Sequence, residues 1–216
     1  MPKIIENIRE NLLAEARKQV MELGYSSMTI RSVAKACGVG VGTVYNYFPS
    51  KDMLVASFML TDWQQCMQKI KACCLNGAEA GGSVGVRNDA KAGDAVNVQK
   101  SSEVRDTVSV QKSAVVDKAL KCVYDELKSF LEQYVTLFQD ESAGVSFATA
   151  LPQRHGQLRS QIAEPLLPLC KKQDKVAPDF LAEFVAESML TWTMAGRSYE
   201  EISTILLQLF GTVRNA

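Results

Sequence analysis

Histidine occurs once in this chain, at position 155, and the six cysteines, at 37, 66, 73, 74, 122 and 170, include no CxxC pair. Without clustered His and Cys there is no ligand spacing for a zinc site. No stretch stays apolar over the 18 or more residues that a membrane span needs, so no membrane partner is expected. There is no nucleophile elbow, and the Gly-rich run Gly38–Gly42 lacks the GxGxxG spacing and has no strand before it. An enzyme is therefore not expected, and no cofactor or metal is implied. The opening MPKIIENIRENLL mixes charged with apolar residues, unlike a signal peptide, which predicts a cytoplasmic location. In a reducing cytosol the cysteines are expected to be buried thiols serving as small apolar residues, with redox sensing at Cys73 or Cys74 the less favoured alternative.

Charge is balanced overall, with 24 basic and 24 acidic side chains in 216 residues. The balance hides an asymmetry. Residues 1–51 hold seven basic and four acidic side chains, and the remainder holds 17 and 20. A basic head on an acidic body suits a head that meets DNA.

The stretch from Thr29 to Leu54, TIRSVAKACGVGVGTVYNYFPSKDML, carries the densest signals. Thr29 can cap a helix whose apolar face is Ile30, Val33, Ala34 and Cys37. Gly38 stands where a helix ends in the left-handed conformation. A second short helix is predicted over about 41–47, with Val44 and Phe48 inward. Pro49 breaks it, and Ser50 caps a third helix with Lys51 and Asp52 in its first turn. Helix, glycine turn and short helix form the helix-turn-helix pattern, in which the second helix enters the major groove. Thr43, Tyr45, Asn46 and Tyr47 face outward with groups suited to bases and phosphates, and Arg31 and Lys51 flank them as phosphate partners. A plain αα-hairpin would explain the apolar positions, but not two tyrosines around an asparagine on the outer face.

Gly24-Tyr25, Thr29-Ile30, Ala34, Gly38-Val39, Gly42-Thr43, Tyr45, Tyr47-Phe48, Ser50-Lys51 and Leu54 resemble the N-terminal signature of the TetR/AcrR family of bacterial transcription regulators. The resemblance covers roughly the first quarter of the chain. It implies an all-α homodimer with a three-helix helix-turn-helix domain and a divergent helical body that binds an inducer. Taken with the outward residues above, the expected DNA-binding residues are Thr29, Arg31, Val41, Gly42, Thr43, Tyr45, Asn46, Tyr47 and Lys51. Three positions depart from the pattern: Gly40 replaces a frequent Ser, Val41 a frequent polar residue and Val20 a usual aromatic.

The domains predicted are residues 1–50, which bind DNA, and 51–216, which regulate and dimerise. A first helix is expected over 4–23, ended by Gly24. The helix that starts at Ser50 is expected to reach about Cys74, with Val55, Phe58, Met59, Asp62, Trp63, Met67 and Ile70 on its stripe. Residues 76–113 then contain no Leu, Ile, Met, Phe, Tyr or Trp and five Gly, and repeat every twelve residues with a shared Val-x-Val. They are read as a disordered surface insertion, with a Val-x-Val hairpin as the alternative. Helix is expected to resume near Val115 and run to about Gln139. A short helix over 143–151, ended by Pro152, and a helix over 157–172 should follow. These segments are where an inducer cavity would lie, with Tyr134, Phe138, Phe147, His155 and Trp192 as candidate lining, each of which also fits an ordinary core.

The chain should end in two helices, 178–195 and 198–214, divided by Gly196, with Ser198 and Glu201 as a capping box. The apolar band of the last helix is wider than one core needs, which predicts a homodimer built from both helices. The expected function is a homodimeric repressor of a palindromic double-stranded operator, released by an unidentified small-molecule inducer. A constitutive or architectural DNA binder without an inducer is the alternative.

Overall fold

The computed structural model describes residues 7–80, 98–139, 150–171 and 176–210, and the side chains of 7–75, 114–137, 155–171 and 176–210. The described residues form eight helices and no strand: α1 (Ile8–Leu23), α2 (Ile30–Ala36), α3 (Val41–Tyr47), α4 (Lys51–Ala80), α5 (Val98–Gln139), α6 (Ala150–Cys170), α7 (Pro178–Met194) and α8 (Tyr199–Leu209). The protein is all-α. Two compact units divide the chain, residues 1–66 with 129–156 and residues 67–128 with 157–216. The first unit thus extends beyond residues 1–50, the domain expected to bind DNA.

In the first unit, Leu12, Ala16 and Val20 of α1 are buried one turn apart. They share a core with Ile30, Val33 and Ala34 of α2, Val44 and Phe48 around α3, and Leu54, Val55 and Phe58 of α4. Tyr134 and Leu137, near the end of α5, complete it. The Phe58 and Tyr134 rings stack with centroids 6.3 Å apart, and Trp63 meets Phe130 edge-on at 5.2 Å. Asp62 sits buried beside these rings. It accepts hydrogen bonds from the Tyr134 hydroxyl and from Gln133 Nε2, the latter at 3.0 Å, and pairs with Arg17 Nη2 at 2.8 Å.

In the second unit, Leu120, Val123 and Leu127 of α5, Ile162 and Leu166 of α6, Val185 and Met189 of α7 and Ile202 and Leu206 of α8 are buried. Gly196, at φ 72°, ends α7 as expected, and Arg197 N–H closes the turn on Trp192 C=O at 3.0 Å. The capping box at α8 is present. Ser198 Oγ accepts from Glu201 N at 3.3 Å, and Ser198 N donates to Glu201 Oε2 at 2.9 Å. That backbone donor, with Arg197 close by, holds the Glu201 carboxyl below its usual range.

Three expectations need correction. First, α4 reaches Ala80 and α5 begins at Val98, so 76–80 and 98–113 are helical rather than disordered or strand. Residues 81–97 lie outside the described part. Alanine, lysine, glutamine and glutamate favour a helix that larger neighbours anchor, even where no large apolar side chain is present. Second, Pro152 does not end a helix: it lies in the first turn of α6, where a missing N–H costs no intrahelical bond. Residues 143–149 are outside the described part. Third, two of the cysteines are not thiols, because Cys73 of α4 and Cys122 of α5 are joined as a disulfide. Cys66, Cys74 and Cys170 are buried free thiols and Cys37 is a half-buried one.

Candidate nucleic-acid interface

Local chemistry sets the two-helix unit. Thr29, in an extended conformation, caps α2: its Oγ1 accepts from Ser32 N at 3.0 Å, and Ser32 Oγ accepts from Thr29 N at 3.1 Å. Gln19 of α1 joins the cap, its Oε1 2.6 Å from Ser32 Oγ. At the other end Gly38 takes φ 67°, a region costly for any side chain. The reversal is closed by Val39 N–H on Ala34 C=O at 2.9 Å. Val39 packs against the core, and Gly40 opens α3 in extended backbone.

Helix α3 has only seven residues, so its faces follow from spacing. Val44 and Phe48, one turn apart, are buried. Gly42, Tyr45 and Asn46 share the opposite, exposed face, and Thr43 and Tyr47 flank it, Thr43 half-buried and Tyr47 exposed. Val41 does not join this outer face alone: it is half-buried and packs on the core. Arg31 is exposed on α2.

Ser50 caps α4, its Oγ accepting from Met53 N at 3.1 Å. Lys51, the first residue of α4, holds its ammonium 4.0 Å from the centre of the Tyr25 ring, and the Tyr25 hydroxyl donates to Asp52. The ring steadies the lysine by a cation–π contact while the carboxylate steadies the ring. This support was not legible in the sequence, since Tyr25 stands 26 positions before Lys51 and no local spacing joins them. Arg9 was missed in the same way. It lies on α1 with its guanidinium 5.6 Å above the Phe48 ring, at the end of α3.

The candidate inducer residues divide differently. Tyr134 is fully buried in the first unit, with its hydroxyl on Asp62; burial, reinforced by that bond, pushes its ionisation well above the usual range. His155 on α6 and Trp192 on α7 are half-buried. The Phe138 side chain and Phe147 lie outside the described part.

Gly40 leaves α3 without a side-chain cap. A Cβ there meets only Thr43 Oγ1, at 3.8 Å, and the backbone suits serine. Gly40→Ser is therefore expected to stabilise the head by a few tenths of a kcal/mol and, on the DNA-binding expectation, to tighten DNA binding by adding one hydroxyl at the start of α3. Thermal melts and titration of labelled DNA check both effects.

A capped helix, a reversal at a left-handed glycine and a short helix with polar and aromatic groups outward define a helix-turn-helix DNA-binding domain. Residues 12–58 match the model of the bacterial regulatory proteins of the tetR family. It is similar to the HTH-type transcriptional regulator UidR of Escherichia coli K12, 29% identical over 63 residues, which are 29% of this chain and 32% of UidR. It is also similar to the HTH-type transcriptional repressor KstR of Rhodococcus jostii RHA1, 31% identical over 68 residues, 28% of this chain and 32% of KstR. The match thus spans about a third of these relatives' length. A structure from Mesorhizobium loti MAFF303099, assigned to TetR-family transcriptional regulators, shares the fold over 94% of each chain with a TM-score of 0.51 and 12% identity.

Proposed function

We propose that the chain is a homodimeric transcriptional repressor that binds a two-fold symmetric operator and is released by a small molecule. The observation that carries DNA binding is α3 itself, whose buried Val44 and Phe48 fix a face bearing Gly42, Tyr45 and Asn46 toward solvent. Asparagine can read adenine by a paired donor and acceptor, and tyrosine and threonine hydroxyls can hold phosphates. Thr29, Arg31 and Lys51 stand at the starts of α2 and α4, the helices before and after α3 in the chain, where backbone N–H groups also favour phosphate. Dimerisation is supported by the apolar side chains that α7 and α8 leave exposed in one chain, Phe180, Phe184, Ile205 and Leu209. Two reading helices related by a two-fold axis predict half-sites about 34–36 Å apart, or a multiple. The helical second unit supports an inducer site, and a KstR relative that is a repressor supports the sign of regulation.

Selection of bound DNA from a random pool tests the reading, and should return a palindrome. On that operator, Lys51→Ala should weaken binding about equally for all sequences and lower the salt slope by about 1.8, for two phosphate contacts per dimer. Asn46→Ala should instead relax base preference, costing about 1–3 kcal/mol on the selected operator and less on its variants. An unchanged salt slope for Lys51→Ala would remove that lysine from the interface. Recovery of no enriched sequence would refute operator binding.

A further inference from the structure

We propose that the Cys73–Cys122 bond is a reversible redox switch on operator binding, an inference that rests on the DNA-binding reading above. The six cysteines fall into two groups. Cys66, Cys74 and Cys170 are buried, and burial pushes Cys74 and Cys170 up to about 12, which keeps them protonated and unreactive. Cys37 is likewise raised, by burial and then by Glu15. Cys73 and Cys122 are bonded to each other, and both are half-buried rather than fully enclosed.

The place of the bond gives it leverage. It joins α4 to α5 across 49 positions of sequence, and Lys69 of α4 pairs with Glu126 of α5 at 3.1 Å one turn away. The same two helices continue into the first unit, where Phe58 of α4 stacks on Tyr134 of α5 in the core that carries α2 and α3. Helix α4 begins at Lys51, four positions after Tyr47 closes α3. A tie between α4 and α5 thus restrains the helix that follows the reading helix. On the cytoplasmic reading of the sequence the chain works among thiol reductants, where a protein disulfide is characteristically transient and sensing rather than a permanent staple.

The chemistry balances with solutes of two classes. In reduction, the thiolate of a low-molecular-weight thiol attacks one sulfur of the bond, which breaks, and the departing cysteine sulfur takes a proton. A second such thiolate then attacks the mixed disulfide, releasing the other cysteine and an external disulfide. In oxidation, one cysteine thiolate attacks a hydroperoxide, the O–O bond breaks, and the leaving oxygen takes a proton to depart as alcohol or water. The resulting sulfenic acid is displaced by the second cysteine, which forms the S–S bond and expels water. The tied state is the preorganised one and spends less binding free energy on ordering, so it binds the operator more tightly.

The full chain, poised in glutathione buffers of varied thiol-to-disulfide ratio, tests this. Alkylation and mass spectrometry report the fraction bonded, and titration of labelled operator reports Kd on the same samples. The bonded fraction should change reversibly across the series, and Kd should rise at least fivefold on reduction. Cys73→Ser and Cys122→Ser should each bind like the reduced protein at every ratio, whereas Cys37→Ser should keep the full response. Reduced and alkylated wild-type protein supplies the same comparison without a substitution. A bond that stays closed throughout, or operator affinity that is unchanged or higher on reduction, overturns the switch. Absence of binding in both states refutes the DNA-binding reading itself and the switch with it, and equal binding in both refutes the switch alone.

Discussion

A carboxylate on the exposed apolar face of the last two helices is expected to leave the chain monomeric. In the single chain Phe180 is 66% exposed, Phe184 44%, Ile205 51% and Leu209 40%. They are not scattered. Phe180 and Phe184 stand one turn apart on α7, and Ile205 and Leu209 one turn apart on α8, while Val185, Met189, Ile202 and Leu206 fill the buried sides of the same helices. On the proposed dimer reading, a second copy of the α7–α8 pair covers these side chains. Full burial of each such side chain is worth about 1.5–3 kcal/mol, and a two-fold interface counts each twice. Phe184→Glu with Ile205→Glu would remove that gain and bring like charges together where water is excluded. The dimer dissociation constant should rise at least about 100-fold, a change of roughly 2.7 kcal/mol or more. Operator affinity should fall by a similar factor, because a monomer engages one half-site and loses the effective concentration that links the two. Light scattering at micromolar concentration and titration of labelled operator measure both, and circular dichroism should show the helices intact. A variant that remains dimeric would place the interface elsewhere.

How much of this was legible in the sequence depends on the distance over which each feature is decided. The Thr29 cap, Gly38, the inward pair Val44 and Phe48, the Ser50 cap and the Ser198–Glu201 box are settled within a few residues, and the structure has each of them where the sequence placed it. The early start of α5 was hidden because 98–113 carry Val in an alternating pattern, which suggests strand locally, while the helix is anchored by the large side chains beyond Val115. The Cys73–Cys122 bond was hidden for a plainer reason. Which cysteines meet depends on the register of α4 against α5, and no spacing along the chain encodes that register. Asp62 lies between these cases. Its position one turn after Phe58 put it on the inward stripe of α4, but its partners come from α1 and α5, 45 residues before and 71 or 72 after.

Those partners make Asp62 a sensitive polar residue of the first unit. The carboxylate accepts from the Tyr134 hydroxyl and from Gln133, and it also holds Arg17. Asp62→Ala would leave the Tyr134 hydroxyl buried without an acceptor, whereas Arg17, with a side chain 42% exposed, can turn to water. The expected loss is about 2–3 kcal/mol, mostly from the stranded hydroxyl and the cavity beside it, which lowers Tm by roughly 4–12 °C for a chain of this size. Adding Tyr134→Phe should recover about 1 kcal/mol or more of that loss, because no donor is then left unpaired. A pH profile supplies a second readout. Tyr134 ionises well above the ordinary tyrosine value in the folded chain, through burial first and then its bond to Asp62. A folded-state value above the unfolded one gives stability that is fully present below about pH 10, the unfolded tyrosine value, and is lost as pH rises beyond it. The wild type should therefore weaken steeply above about pH 10, and Tyr134→Phe should flatten that limb while costing little near neutrality. If Asp62→Ala costs under about 1 kcal/mol, or if Tyr134→Phe worsens the double variant, the carboxylate does not anchor α5 to the reading head, and the rings of Phe58, Trp63 and Phe130 carry that junction alone.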